Sequence, residues 1–103
     1  MRALTNKGLR VQPFKIGPDF IDSSYHSIAT NRACRNLDSF LMTEGQIRWS
    51  FSHATKNADI AVIEGVRGLY EGLTATGDIG STAHIAKLLG APVIIIINIR
   101  GIT

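Results

Sequence analysis

A carboxylate closes the apolar run Ile60-Ala61-Val62-Ile63-Glu64, and the glycine-punctuated stretch Gly65-Val66-Arg67-Gly68-Leu69-Tyr70-Glu71-Gly72 follows at once. Buried without a partner, Glu64 would cost several kcal/mol, so it should face a crevice or a cation. Two further apolar segments end in polar residues: Lys15 and Asp19 follow the first, and Asn98 and Arg100 follow Val93 to Ile97. In a parallel sheet these ends share one edge, where open α/β sheets bind ligands. With Asp22, Asp38 and Glu71, one rim collects several carboxylates beside a lysine. Carboxylates that stay ionised at close quarters want a divalent cation. Hard oxygen donors with retained water suit Mg²⁺ and phosphate, and a lysine suits phosphate as a point charge. The set points to phosphate chemistry. The plainer alternative is that Glu64 caps the loop behind it and the glycines only make turns.

The elements that must position these residues are readable in order. Met1 to Lys7 has the look of the end of a helix, with Gly8 as its terminator. Leu9 to Ile16 reads as a strand, and Pro13 favours an edge position for it. Gly17-Pro18 breaks that strand, and Asp22 or Ser23 is placed to cap a short helix through Ile28. Asn31 to Asn36 reads as loop. Thr43 with Gln46 forms a capping box. The helix it opens carries Ile47, Phe51 and Ala54 on one face and should end near Asn57. Asp59 opens the central strand, expected to be buried on both faces. Leu73 to Gly80 has the composition of a ligand-side loop. Ser81 caps a helix that Gly90 ends, and Val93 to Ile97 is expected as a further buried parallel strand. Strand, helix, strand, helix, strand gives an α/β parallel sheet with flanking helices.

Composition removes other classes. At 103 residues the chain is one small domain or part of one. A 45% hydrophobic content is that of a globular chain. The charge of +3 is scattered rather than clustered with aromatics, so no nucleic-acid surface is expected. The longest apolar run, Ala91 to Ile97, is too short to span a bilayer, and no membrane association is expected. The single Cys34 excludes an internal disulfide framework and suits a reducing cytosol, so the expected location is cytoplasmic. His26, His53 and His84 lack zinc-site spacing. His53 reads as a helix-surface residue, His26 has a place near the rim, and Trp49 and Tyr25 read as packing residues.

The wording of several segments then becomes informative. Phe14-Lys15-Ile16-Gly17-Pro18-Asp19-Phe20-Ile21-Asp22, Arg35-Asn36-Leu37-Asp38, Glu64 to Gly72, Gly80-Ser81-Thr82-Ala83 and Leu88 to Val93 resemble the cobyrinic acid a,c-diamide synthase family, in that family's order and at about its spacing. The resemblance runs from about Gly8 to Gly101. It implies that residues 1–103 are a partial ATP-dependent amidoligase domain of P-loop NTPase-like, dethiobiotin synthetase-like fold. It implies an enzyme that uses ATP and Mg²⁺, with ammonia from glutamine, to amidate the a and c carboxylates of a corrinoid precursor in cobalamin biosynthesis through an acyl phosphate. By the same resemblance Lys15 faces the nucleotide phosphates, and Asp38 and Glu64 belong at Mg²⁺. Asp19, Asp22 and Glu71 belong with the tetrapyrrole carboxylate and its phosphorylated form.

The chain departs from the family in ways that shape the expectation. The strand and GxxxxGK[ST]-type loop with which the family begins, and its glutaminase domain, are not found in this sequence. Cys34 is misplaced for the glutaminase nucleophile, Asn98 stands where an aspartate is expected, and Arg67 where an apolar residue is expected. The missing strand would lie beside Ile60–Ile63, so unpaired edges are expected there. The expectation is an incomplete fold: a piece of a longer enzyme or a defective gene product, which would persist by pairing with itself or another chain. Alternatives are the nickel sirohydrochlorin a,c-diamide synthase of coenzyme F430 biosynthesis and a non-catalytic binding or assembly module that lacks the phosphate loop. A third alternative, a dethiobiotin synthetase or a cobyric acid synthase, is disfavoured by the Gly17-Pro18-Asp19 and Gly68-Leu69-Tyr70-Glu71-Gly72 wording.

Overall fold

Backbone hydrogen bonding sorts the apolar segments into those that find a neighbour and one that does not. The computed structural model describes residues 1–71 and 79–100. Its elements are α1 (Arg2–Asn6), β1 (Val11–Ile16), α2 (Ile21–Thr30), β2 (Arg35–Leu37), α3 (Glu44–Ala54), β3 (Ile60–Glu64) and α4 (Thr82–Leu89). The three strands form a parallel sheet in the order β2-β1-β3. This is an α/β fold, as expected, with helices packed against the sheet. No helix among the described residues is long and apolar enough to cross a membrane.

β1 is the centre of the sheet and is buried along its whole length. Strand alternation directs Phe14 and Ile16 to one face and Lys15 to the other. On the first face Phe14, Ile16, Leu37, Ile47, Ala54 and Ile85 form the core, with Phe51 stacked on Phe14 at a centroid distance of 5.2 Å. On the second, β1 meets α2.

The edge position expected from Pro13 is therefore wrong, and the register explains why the proline is tolerated. Gly17 N–H donates to Leu37 O across the β1–β2 boundary at 2.9 Å. Backbone groups two residues apart point the same way, so Pro13 also faces β2, but β2 pairing begins only at Phe14–Arg35. The lost donor falls just before the ladder starts. Pro13 O, in turn, accepts from the Gln12 side chain at 3.1 Å.

Local signals set most boundaries. Thr43 and Gln46 make both bonds of the capping box of α3. That helix ends at Ala54 rather than near Asn57, where φ turns to +63°. Ser81 caps α4 by accepting from His84 N–H at 3.1 Å, and Gly90 ends it at φ +64°. The cap of α2 is neither Asp22 nor Ser23. Asp19 Oδ1 accepts from the N–H groups of Ile21 and Asp22 at 2.8 and 3.3 Å, so the helix starts earlier and runs on to Thr30. Arg35 and Asn36, expected in a loop, are strand residues of β2.

Two apolar segments depart from expectation in burial. β3 is not enclosed on both faces, because it is the edge of the sheet, and Ile60 is exposed. Val93 to Ile97 forms no strand among the described residues; Ile94 and Ile96 are 90% and 91% exposed. A strand exists only through its ladder, and this run has none. The open edge expected beside Ile60–Ile63 is observed. Tyr25 and Trp49 are also exposed rather than packed, Trp49 stacking on the exposed His53 at 4.7 Å.

Candidate functional site

Register brings the chemistry together. In the β1–β3 ladder Lys15 lies opposite Glu64, and in the β1–β2 ladder Lys15 and Ile16 lie opposite Asn36 and Leu37, with Asp38 one step beyond. The ends of β1 and β3 therefore meet at one sheet edge, as the sequence implied; the third end there is that of β2, which was expected as loop, and not that of Val93 to Ile97, which joins no ladder among the described residues.

The Lys15 side chain is 4% exposed, and its Nζ lies 2.8 Å from Asp22 Oδ2 and 3.5 Å from Glu64 Oε2. It also donates to Gly65 O at 3.4 Å. Both carboxylates are about two-fifths exposed, so the ammonium is buried while its counter-charges face water. Burial works against the lysine charge, yet the hydrogen bond to Asp22 and the charges of Glu64 and Asp22 outweigh it and raise its pKa. The same hydrogen bond from Lys15 holds Asp22 below the usual aspartate range. The pairing favours the charged forms of both Lys15 and Asp22.

Each partner is held by its own element. Asn36 Nδ2 donates to Gly17 O and Asp19 O, both at 2.7 Å, and fixes the turn between β1 and α2. Gly17 enters that turn at φ +87°. Thr82 on α4 accepts from Val66 N–H at 3.1 Å and donates to Val66 O at 3.3 Å, fastening the chain just after Glu64. A Cβ on Gly65 would stand 2.7 Å from Thr82 Cγ2, so only glycine permits this approach.

Of the six residues singled out from sequence, the structure joins Lys15, Asp22 and Glu64 in one contact set. Asp19 adjoins it through its bond to Asp22 N–H. Asp38 is buried, its Oδ1 accepting from Phe40 N–H at 3.0 Å, and it makes no ion pair among the described residues. The Glu71 side chain lies against Gly68. Residues 72–78, which hold most of the expected ligand-side loop, lie outside the described residues, as do 101–103. Arg67, exposed, adopts φ +52°, and Asn98 Oδ1 accepts from Arg100 N–H. Cys34 is half-buried, and burial raises its thiol pKa, in keeping with an unreactive residue.

One residue of the cluster was not among the six. His26 Nε2 is in direct hydrogen-bond contact with Glu64 Oε2. Its signal in the sequence is spacing: it stands four residues after Asp22, on the same face of α2.

Among the described residues no three His, Cys, Asp or Glu side chains converge as a self-contained metal nest. A hollow of about 300 Å³ at the opposite end of the sheet is lined by Gln12, Arg32, Arg35 and Lys56 among others. Arg32 there bonds Gln12 Oε1 and the carbonyls of Ala54 and Lys56, which makes it a brace between β1 and the end of α3.

Comparison with known proteins locates this geometry. The chain is 60% identical over 102 residues to the cobyrinate a,c-diamide synthase of Methanobrevibacter smithii, covering 99% of this chain and 22% of that protein. It is 57% identical over 104 residues to the protein of the same name from Methanothermobacter thermautotrophicus, covering 99% and 23%. It is 56% identical over 106 residues to that of Methanosarcina barkeri, covering 100% and 22%. The chain thus spans under a quarter of the length of the relatives it matches. No family model matches it, and no solved structure matches it.

Proposed function

Because this chain belongs, along its whole length, to the cobyrinate a,c-diamide synthase family, we propose that it supplies the nucleotide-facing edge of an ATP-dependent amidoligase of P-loop NTPase-like fold. Its substrate is a corrinoid with peripheral a and c carboxylates, and its amide nitrogen comes from glutamine through a glutaminase unit. The observation that carries the reading is the buried Lys15 ammonium, set between Asp22 and Glu64 at the carboxyl ends of adjacent parallel strands.

The chemistry explains the need for such a group. A carboxylate is a poor acceptor for ammonia. Mg·ATP, when bound, supplies the phosphoryl group that converts it to an acyl phosphate. Ammonia then forms the C–N bond as inorganic phosphate leaves. Lys15 neutralises phosphate charge in this scheme, and its burial strengthens that effect. Asp19, Asp22 and Glu71 serve the substrate carboxylate side. Asp22 also keeps Lys15 protonated.

The residues present fit Mg²⁺. That ion is held by one or two protein carboxylates, with phosphate and water completing its shell, so a self-contained nest of three is not required. Among the described residues Glu64 makes both its contacts through Oε2, which leaves Oε1 without a partner there. Asp38 likewise uses only Oδ1 among the described residues. These two carboxylates would hold the ion.

The test is Glu64→Gln in the full polypeptide that carries this sequence, assayed for Mg·ATP-dependent amide formation on cobyrinate and, in parallel, on nickel sirohydrochlorin. Turnover on cobyrinate should fall by about 10²-fold or more. Unchanged turnover would make Glu64 structural. Turnover of the parent on the nickel macrocycle alone would replace the corrinoid as substrate.

A further inference from the structure

α2 presents two side chains to the strand ends, and the reading above uses only one of them. Asp22 and His26 are four residues apart, so they stand one above the other on the same helix face. Asp22 holds Lys15 on β1, and His26 holds Glu64 on β3. We propose that His26 is a positioning residue for Glu64, fixing the carboxylate through Oε2 so that Oε1 is presented to a divalent cation. The proposal rests on the assignment of Glu64 to Mg²⁺ made above.

The geometry gives the reason. Glu64 is the last residue of an edge strand, and its side chain is about two-fifths exposed. Left to itself, such a glutamate samples several rotamers. A carboxylate can only accept, so His26 Nε2 must carry the proton of this hydrogen bond. That donor and Lys15 converge on the same oxygen, Oε2. The histidine is itself held: its side chain is only 19% exposed, and it lies in the second turn of a helix whose first N–H groups, of Ile21 and Asp22, donate to Asp19 Oδ1. A rigid helix thus orders a flexible carboxylate, the arrangement by which outer partners tune metal ligands elsewhere.

The test uses Mn²⁺ as the probe for the Mg²⁺ position, with binding to the full polypeptide read from the electron paramagnetic resonance signal of the free ion. His26→Ala should weaken Mn²⁺ binding by about tenfold, the lower end of the range for such partners. His26→Gln, which keeps an N–H donor at similar reach, should bind close to the parent. In a Glu64→Gln background, His26→Ala should add nothing. Parent-like Mn²⁺ affinity in His26→Ala overturns the proposal, as does an effect that persists undiminished in the Glu64→Gln background. Melting curves check folding, and His26→Leu makes the same comparison if the alanine variant does not fold. Should Glu64→Gln itself leave Mn²⁺ affinity unchanged, or the parent bind no Mn²⁺, the metal reading of Glu64 fails, and this proposal with it. Weakening by Glu64→Gln alone leaves that reading standing and sinks only the role of His26.

Discussion

Replacing Lys15 by methionine separates a structural ion cluster from a functional one. The substitution keeps an unbranched stem of similar bulk in the central strand and removes only the ammonium. Two contributions to stability oppose each other. The ammonium loses Asp22 at 2.8 Å and Glu64 at 3.5 Å. The folded state, however, no longer has to desolvate a charge held at 4% exposure. Both carboxylates face water, so once Lys15 is gone they are solvated rather than stranded. The value appropriate to ion pairs open to solvent then applies, and Lys15→Met should cost about 1 kcal/mol or less. Catalysis should respond differently, because a fixed positive charge at the phosphates is worth about 10²-fold or more in turnover. The assays are urea unfolding by circular dichroism and Mg·ATP-dependent amide formation by the full polypeptide. Turnover within a few-fold of the parent would refute the placement of Lys15 at phosphate. So would a stability loss of about 3 kcal/mol or more, the range for breaking a buried pair, since Lys15 would then be a structural cation.

Two further outcomes follow from the same contacts. Gly65→Ala puts a methyl group 2.7 Å from Thr82 Cγ2 and should cost about 1–3 kcal/mol by forcing Thr82 off Val66, measurable as a lower urea midpoint; an unchanged midpoint would show that α4 yields freely. For pH, Asp22 and Asp59 are both depressed below the usual aspartate range, by Lys15 and by Arg10 respectively, so their contribution to stability is complete above about pH 4 and lost as pH falls through their lower folded-state values. Urea midpoints should therefore hold between pH 7 and 5 and drop below about 4. Asp22→Asn should reduce that drop, and an identical drop in the variant would mean the Lys15 pair contributes nothing.

What the sequence revealed and what it hid divide along the range of the forces involved. The capping box at Thr43 and the Ser81–Gly90 pair of α4 were legible because a cap is made within a few residues of itself. The meeting of Lys15 with Glu64 was legible because parallel connection forces strand ends to one edge. Pro13 misled because its rule concerns ladders, and whether β2 has begun opposite residue 13 is a matter of register. Val93 to Ile97 misled for the same reason in reverse. Five β-branched residues satisfy every local criterion for a buried strand, but burial is conferred by a neighbour, and among the described residues none pairs with it. The sequence places His26 no more closely than near the rim, since a lone histidine carries no partner in its spelling. Only the four-residue step from Asp22, read together with the contact of Asp22 to Lys15, singles it out.

The charge of the cluster adds a consequence for how a ligand enters. Within the Lys15, Asp22 and Glu64 contact set one ammonium stands against two carboxylates, an excess of one negative charge facing water, and Asp19 and Asp38 at the same edge add to it. A nucleotide bound here, as proposed, would be anionic and would meet net repulsion from Asp22 and Glu64 despite the lysine between them. A divalent cation offsets that charge. Under the proposed assignment to Glu64 Oε1, it would leave the ammonium of Lys15 surplus to the carboxylates and available to phosphate. On this account metal and nucleotide are linked through Lys15: each favours the other, because the first relieves the charge the second must face. Asp22 and His26, fixed four residues apart on one helix face, then act on the two halves of that linkage. Asp22 keeps the lysine charged in a buried position, and His26, in the proposed role, would keep the glutamate turned toward the ion.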